Sequence, residues 1–335
     1  MNIRKIIVLS FLCFTHASSA HNNVVVVPLL GGDNSRSIKN IVVVALENGD
    51  FTSPVDAINS ITDASSLNRY VVYIAPGQYT IPPDQQLIMK PFVNLVGSGK
   101  EVTTLHFSLS RRPPNTQGLS DPTAALVVAS IHDSAISNLT IEGERATQHA
   151  VGLHVPLAAS LTIRNSSIGI LVRLGPGTPA GIYLSGKLRV ESSNIGSGGF
   201  PSGSAYGIYS DGGELHFLNS MLEVSALAHA TSSNGIYNAG NSSAEIINSS
   251  ISFSNSSVPK YGVVNTSNNA KARISGSTIL ATTRSFVAAT GLGSNESFVN
   301  NSVLSTEVTG DPKCNFVFTN DGQELDDQCK VPSPP

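Results

Sequence analysis

Leu161-Thr-Ile-Arg-Asn-Ser-Ser-Ile168, Leu188-Arg-Val-Glu-Ser-Ser-Asn-Ile195, Leu215-His-Phe-Leu-Asn-Ser-Met-Leu222 and Ala244-Glu-Ile-Ile-Asn-Ser-Ser-Ile251 are four copies of one sentence. Their polar pivot recurs at Asn138, Asn165, Ser192, Asn219, Asn248, Gly276 and Asn300. A second element runs between the copies: Ala180-Gly-Ile-Tyr183, Tyr206-Gly-Ile-Tyr209, Asn234-Gly-Ile-Tyr237 and Tyr261-Gly-Val-Val264. A fixed period of this size is the signature of a solenoid, and it decides the fold before any other feature is weighed.

Each copy alternates apolar and polar residues with period two, the pattern of a half-buried strand. Leu161 and Ile163 share one face while Thr162 and Arg164 take the other; Leu188/Val190 and Leu215/Phe217 repeat the arrangement. One such strand cannot bury its apolar face alone. Coils stacked about 4.8 Å apart build a continuous core. Asparagine tolerates left-handed backbone and bonds its own kind in the next coil, so Asn138, Asn165, Asn219 and Asn248 are expected to form a structural column. The spacing predicts an all-β chain: a single-stranded parallel β-helix with coils of about 27 residues.

This architecture resembles the right-handed parallel β-helix of the pectin-lyase-like superfamily. The likeness rests on the period, the paired Gly-Ile-Tyr and Asn-Ser elements and the polar corners, and it covers most of the chain. The opening of the chain also resembles pectin methylesterases. The carriers are Gly49-Asp-Phe-Thr52 before a helix, the stretch Tyr73 to Tyr79, and the turn Val96-Gly-Ser-Gly99. That resemblance implies a nucleophilic and an acid/base carboxylate, Gln groups steadying an oxyanion and an orienting Arg. The residues depart from it. Ala146-Thr-Gln-His-Ala-Val-Gly-Leu153 matches the first catalytic strand with Gln148 displaced by one and His149 in its place, and a one-residue shift reverses a strand side chain. The segments expected to carry the acids, Ile168 to Arg173 and Asn194 to Gly198, hold none, and the chain has no Trp for the Arg-Pro-Trp turn.

Composition agrees with a polar-faced solenoid. Charged residues are 13% of the 335, and the formal net charge is −3. A mildly acidic balance gives no support to nucleic-acid binding. Arg4 and Lys5, the apolar run Ile6 to Phe14 and Ala17-Ser-Ser-Ala20 read as a signal peptide cleaved near Ala20. Export to the periplasm or the extracellular space is expected, with no membrane span. There Cys314 and Cys329 should pair, closing a loop for about 3 kcal/mol in the entropy model.

The expected organisation is a signal peptide at 1–20, an N-terminal lead-in at 21–39, the β-helix at 40–310 and a C-terminal cap and tail at 311–335. Ser53, Pro54 and Asp56 supply an N-cap, a first-turn proline and a capping-box pattern, predicting a helix over about 53–63 that closes the open end. Asn315 to Phe318 offers a last strand. Gly97-Ser-Gly-Lys100 has the tail of a phosphate loop, but Asn94 and Glu101 fail the fuller pattern, leaving a turn. The Pro-rich stretch Arg111 to Pro122 reads as a surface loop.

No cofactor and no metal site are expected: His149 and His154 are an odd number apart, on opposite faces of a regular strand. Gln148, His149 and Asp211 are the weak catalytic candidates, with Glu142 and Glu144 the other acids placed near the same face. The Gly-Ile-Tyr copies point Ile inward and Tyr outward, stacking His154, Tyr183, Tyr209 and Tyr237 one per coil. Such a row is either a platform for sugar rings or a ladder that stiffens the sheet. Tyr206 and Tyr261 read as corner packing. The reading is a secreted, non-catalytic β-helix protein that binds polysaccharide or a cell-surface glycan or partner through this outer face. A pectin methylesterase-like carbohydrate esterase with displaced groups, or other pectin-active enzyme, is the first alternative and a structural or adhesion module the second. Oligomeric state is left open.

Overall fold

The structure, a computed structural model, describes residues 40–110, 118–145, 149–175, 177–226, 230–254, 258–288, 297–306, 308–310 and 312–332. The stretches read as signal peptide and lead-in, residues 111–117 of the expected loop, and Gln148 therefore lie outside the described residues.

The repeats stack as the period requires. Every pairing between named strands is parallel, and the register is continuous except for shifts between Phe107 and Ser110 and between Val172 and Gly175. Leu161 lies beside Leu188, Leu188 beside Leu215 and Leu215 beside Ala244. Ile168, Ile195, Leu222, Ile251 and Ile279 form a second column, and Ile182, Ile208, Ile236, Val263 and Phe286 a third. The three columns meet inside the coil as one continuous core of fully buried side chains. The Gly-Ile-Tyr strands form a nine-stranded sheet, and the other two sides of the coil join in one sheet of 19 strands. Among the described residues no helix is long and apolar enough to cross a membrane.

The pivots adopt left-handed backbone, with φ between 44° and 57° at Asn138, Asn165, Ser192, Asn219, Asn248 and Gly276. The last one corrects the sequence reading: the positive φ of 42° belongs to Asn301, one residue beyond Asn300. Asn300 instead lies beside Ser275 as the strand residue before the turn.

The asparagine column carries less hydrogen bonding than expected. Asn165 Nδ2 donates to Asn138 Oδ1 at 2.8 Å, on the exposed side. Ser192 then interrupts the series. The buried ladder belongs to the residue after the pivot. The backbone N–H groups of Ser166, Ser193, Ser220 and Ser249 each donate to the hydroxyl of the serine one coil on, at 3.1 Å. Those hydroxyls donate in turn to the carbonyl two residues back, as Ser193 does to Glu191 O at 2.7 Å and Ser220 to Leu218 O at 2.7 Å. The left-handed turn takes this N–H out of the strand ladder, and a buried N–H must find a partner. Serine supplies one in the volume of a small side chain.

The helix is shorter than the sequence reading, Pro54–Ser60 rather than 53–63. Ser53 Oγ accepts from Asp56 N at 3.2 Å, as an N-cap should. Ile61 turns extended and buried, and Lys90 Nζ donates to the terminal carbonyls of Asn59, at 2.8 Å, and Ile61. These bonds satisfy carbonyls that a longer helix would have used itself. Val55, Ala57 and Ile58 enter the core beside Val44.

At the other end the β-helix runs past 310. Lys313–Thr319 pairs with Phe298–Leu304 as a further rung, and Cys314 and Cys329 are joined in a disulfide. Gly97 ends the strand Val93–Gly97 and Ser98 to Lys100 make the turn, where the hydroxyls of Ser98 and Tyr73 meet at 2.8 Å.

Candidate functional site

The outer face of the Gly-Ile-Tyr sheet is built by one irregularity repeated on every coil. The strand register passes over Gly152, Gly181, Gly207, Gly235 and Gly262. A Cβ on Gly181 would lie 2.7 Å from Gly207 O and 2.8 Å from Ile195 Cγ2, so packing demands glycine there. The kink leaves the residue before each Gly and the residue two after it on the same outer side. Strict alternation misses this. Tyr206 is thus not corner packing: it meets Tyr209 edge-on at 5.0 Å and Tyr237 at 5.2 Å.

The ladder expected at His154, Tyr183, Tyr209 and Tyr237 forms one ring per coil. His154 stacks on Tyr183 at 5.1 Å, Tyr183 on Tyr209 at 5.7 Å and Tyr209 on Tyr237 at 5.0 Å, with interplanar angles of 5°, 11° and 23°. It is not an open platform along its length. His154 and Tyr183 are each only 4% exposed, while Tyr209, Tyr237 and Tyr206 are half-buried. The segment from Leu119 to the short turn Pro122–Ala124 packs over the His154 end, and Ser120 O lies 3.2 Å from His154 Nε2. The sequence marked 111–122 as a loop but gave no sign of where it would lie.

A cleft of about 270 Å³ opens where that segment ends. Its aromatic wall is Tyr183, Tyr206 and Tyr209; His149, Thr178 and Asp211 complete it. Asp211 is exposed and accepts from the Tyr183 hydroxyl at 3.3 Å. Two of the three weak catalytic candidates, His149 and Asp211, thus share a cleft with the ladder. Glu142 and Glu144 do not: they lie on the strand Thr140–Arg145, on another side of the coil.

Burial, and then the phenols of Tyr237 and Tyr206, push the Tyr209 hydroxyl up to about 12. Burial likewise raises Tyr183 and Tyr206. Burial lowers His154 despite its bond to Ser120, so it is held neutral, with Nδ1 lacking a partner among the described residues. Among the described residues Asp211 is the one carboxylate of the lining, and no Lys or Arg belongs to it. No group of three or more metal-binding side chains occurs among the described residues. The surface therefore offers flat apolar rings rimmed by hydroxyls and one carboxylate acceptor, a combination that packs sugar C–H faces and accepts sugar hydroxyls.

A family model described as rhamnogalacturonase A/epimerase, pectate lyase-like, matches residues 38–259. No curated protein matches the sequence. The fold is similar to pectin methylesterase from Erwinia chrysanthemi, with 12% identity, a TM-score of 0.51, and 88% of this chain and 93% of that one covered. Similar too are the Aspergillus niger pectin methylesterase, at 15% identity, TM-score 0.47 and coverage of 89% and 92%, and that from carrot, at 15%, 0.45, 73% and 75%. At these identities the likeness is one of fold alone.

Proposed function

The chain belongs to the rhamnogalacturonase A/epimerase, pectate lyase-like family, and from that premise we propose that it is an exported β-helix protein that binds an uncharged polysaccharide or cell-surface glycan on its aromatic wall. The observation that carries this reading is the half-exposed cluster of Tyr206, Tyr209 and Tyr237 beside a cleft whose one carboxylate among the described residues is Asp211. Among the described residues a polyanion would meet a carboxylate there and no Lys or Arg, which supports neutral or fully esterified sugars. The disulfide between Cys314 and Cys329 supports an oxidising compartment.

One observation favours an enzyme instead: His149, Asp211 and Tyr183 line a single cleft. Glycoside cleavage through a carboxylate pair needs two acids flanking the bond, and this lining supplies one. We therefore place binding first.

The test is a titration of the purified protein with methyl-esterified homogalacturonan and with neutral oligosaccharides. The chain has no Trp, so tyrosine emission reports on the site. Tyr209→Ala/Tyr237→Ala should weaken binding by about 1 kcal/mol or more per ring. Equal binding by the variant would sink the proposal. Turnover of a bound sugar that Asp211→Asn abolishes would replace it with the enzyme reading.

A further inference from the structure

A second cleft, larger than the first, lies on the sheet side that follows the pivots. Its volume is about 410 Å³. The side chains that face outward here form columns in register. One column runs His106, Glu142, Gly169, Gly196, Glu223 and Ser252. The next, two residues along each strand, runs Glu144, Leu171, Gly198 and Ser225.

The glycines of the first column are the clue. Both sit inside strands, Ser167–Gly175 and Asn194–Pro201, with ordinary backbone angles. A Cβ on Gly169 would meet nothing within 4 Å, and one on Gly196 would meet only carbonyl oxygens at 3.9 and 4.0 Å. Packing does not need glycine at either place. This contrasts with Gly181 on the aromatic side, and with Gly198, whose Cβ would lie 2.4 Å from Ser225 O. Glycine inside a strand weakens it, and where no packing requires it, it marks close approach by another molecule. Together the two glycines leave a flat-floored trough two coils wide.

The ends of the trough are carboxylates. Glu142 and Glu223 flank the two glycines in the same column, three coils apart or about 14 Å at the strand spacing. Glu144 stands beside them, and among the described residues no Lys or Arg lines the trough. His106 lies 3.0 Å from Glu142. The exposed side chain of Leu171 and the glycine backbone make the floor apolar, and Ser225 and Ser254 set hydroxyls along one side. The floor spans two side-chain columns, wider than a single methylene chain needs.

We propose that this trough binds a short oligosaccharide of amino sugars with free amino groups. Its rings would lie flat over Gly169 and Gly196, its ammonium groups would pair with Glu142 and Glu223, and its hydroxyls would reach the serines. The site is on a different side of the coil from the aromatic wall, and neither reading rests on the other.

The experiment is calorimetric titration of the purified protein with a β-1,4-linked glucosamine oligomer, the fully N-acetylated oligomer of the same length, and spermine. The free-amine oligomer should bind, and its affinity should fall with added salt. Gly169→Val/Gly196→Val should fill the trough and abolish binding while the melting temperature holds or rises, because two adjacent β-branched residues would then pack across the strands. Glu142→Gln/Glu223→Gln should weaken binding about tenfold or more, and it keeps the test decisive should the valine variant fail to fold. Tyr209→Ala/Tyr237→Ala should leave this binding unchanged. Equal binding of the acetylated oligomer by the Tyr209→Ala/Tyr237→Ala protein, spermine binding as tight as that of the sugar, or full binding by a folded valine variant would each overturn the proposal.

Discussion

At the scale of single residues, the turn after each inner strand depends on two neighbours with different duties. The pivot bears the left-handed φ, which costs an ordinary L-residue about 1–2 kcal/mol. Asparagine bears it best among side-chain residues, and Ser192, at φ 50°, is the exception in the series. Ser192→Asn should therefore stabilise the protein by about 0.5 kcal/mol, read as a higher midpoint in urea. The serine that follows supplies a buried acceptor. Ser220→Ala strips the partner from Ser193 N–H and should cost about 1–3 kcal/mol. A cost no larger than that of an exposed Ser→Ala change would show that the ladder is not needed. His154 sets a pH dependence. Burial lowers its folded pKa below 6.5, so as pH falls the unfolded chain takes up its proton first. The stability tied to the neutral ring is complete above about 6.5 and is lost as pH drops toward the folded value. His154→Phe keeps a ring in the stack and should flatten the fall in melting temperature across that window.

At the scale of elements, glycine is the residue whose meaning depends most on its place. In the Gly-Ile-Tyr strands it lets Tyr206 and Tyr209 share one outer face. Gly181→Ala forces a methyl to within 2.7 Å of Gly207 O, and overpacking of this kind costs about 1–3 kcal/mol. The aromatic wall should loosen with it, seen as a fall in the tyrosine near-ultraviolet circular dichroism. The last rung, Lys313–Thr319, has a neighbour on one side only and is held from the other by Cys329 and by Leu325 N donating to Val317 O at 2.8 Å. Cys314→Ser/Cys329→Ser should cost about 3 kcal/mol in the loop-closure model.

At the scale of the molecule, each coil touches mainly its two neighbours, so stability propagates along the stack rather than through one globular centre. Opening should start at the ends. In the disulfide-free variant, hydrogen exchange should rise first between 298 and 319, while the coils around Ile182, Ile208 and Ile236 stay protected. Simultaneous loss of protection in both regions would contradict the nearest-neighbour picture. The sequence by itself determined the stacking, two of the three inward columns, the pivots and the one-ring-per-coil ladder, because all of these repeat with the period and each copy repeats the same steric argument. It misplaced Asn300 for Asn301 in a coil whose spacing departs from the rest. It could not show that the cover from Leu119 to Ala124 buries His154 and Tyr183, because a single non-repeating segment leaves no periodic trace. Nor could it set Tyr206 against Tyr209, since alternation holds only until a glycine kinks the strand. The trough over Gly169 and Gly196 was equally hidden. Whether a glycine is demanded by packing or leaves room for another molecule depends on what its missing Cβ would touch, and only the neighbouring coils decide that.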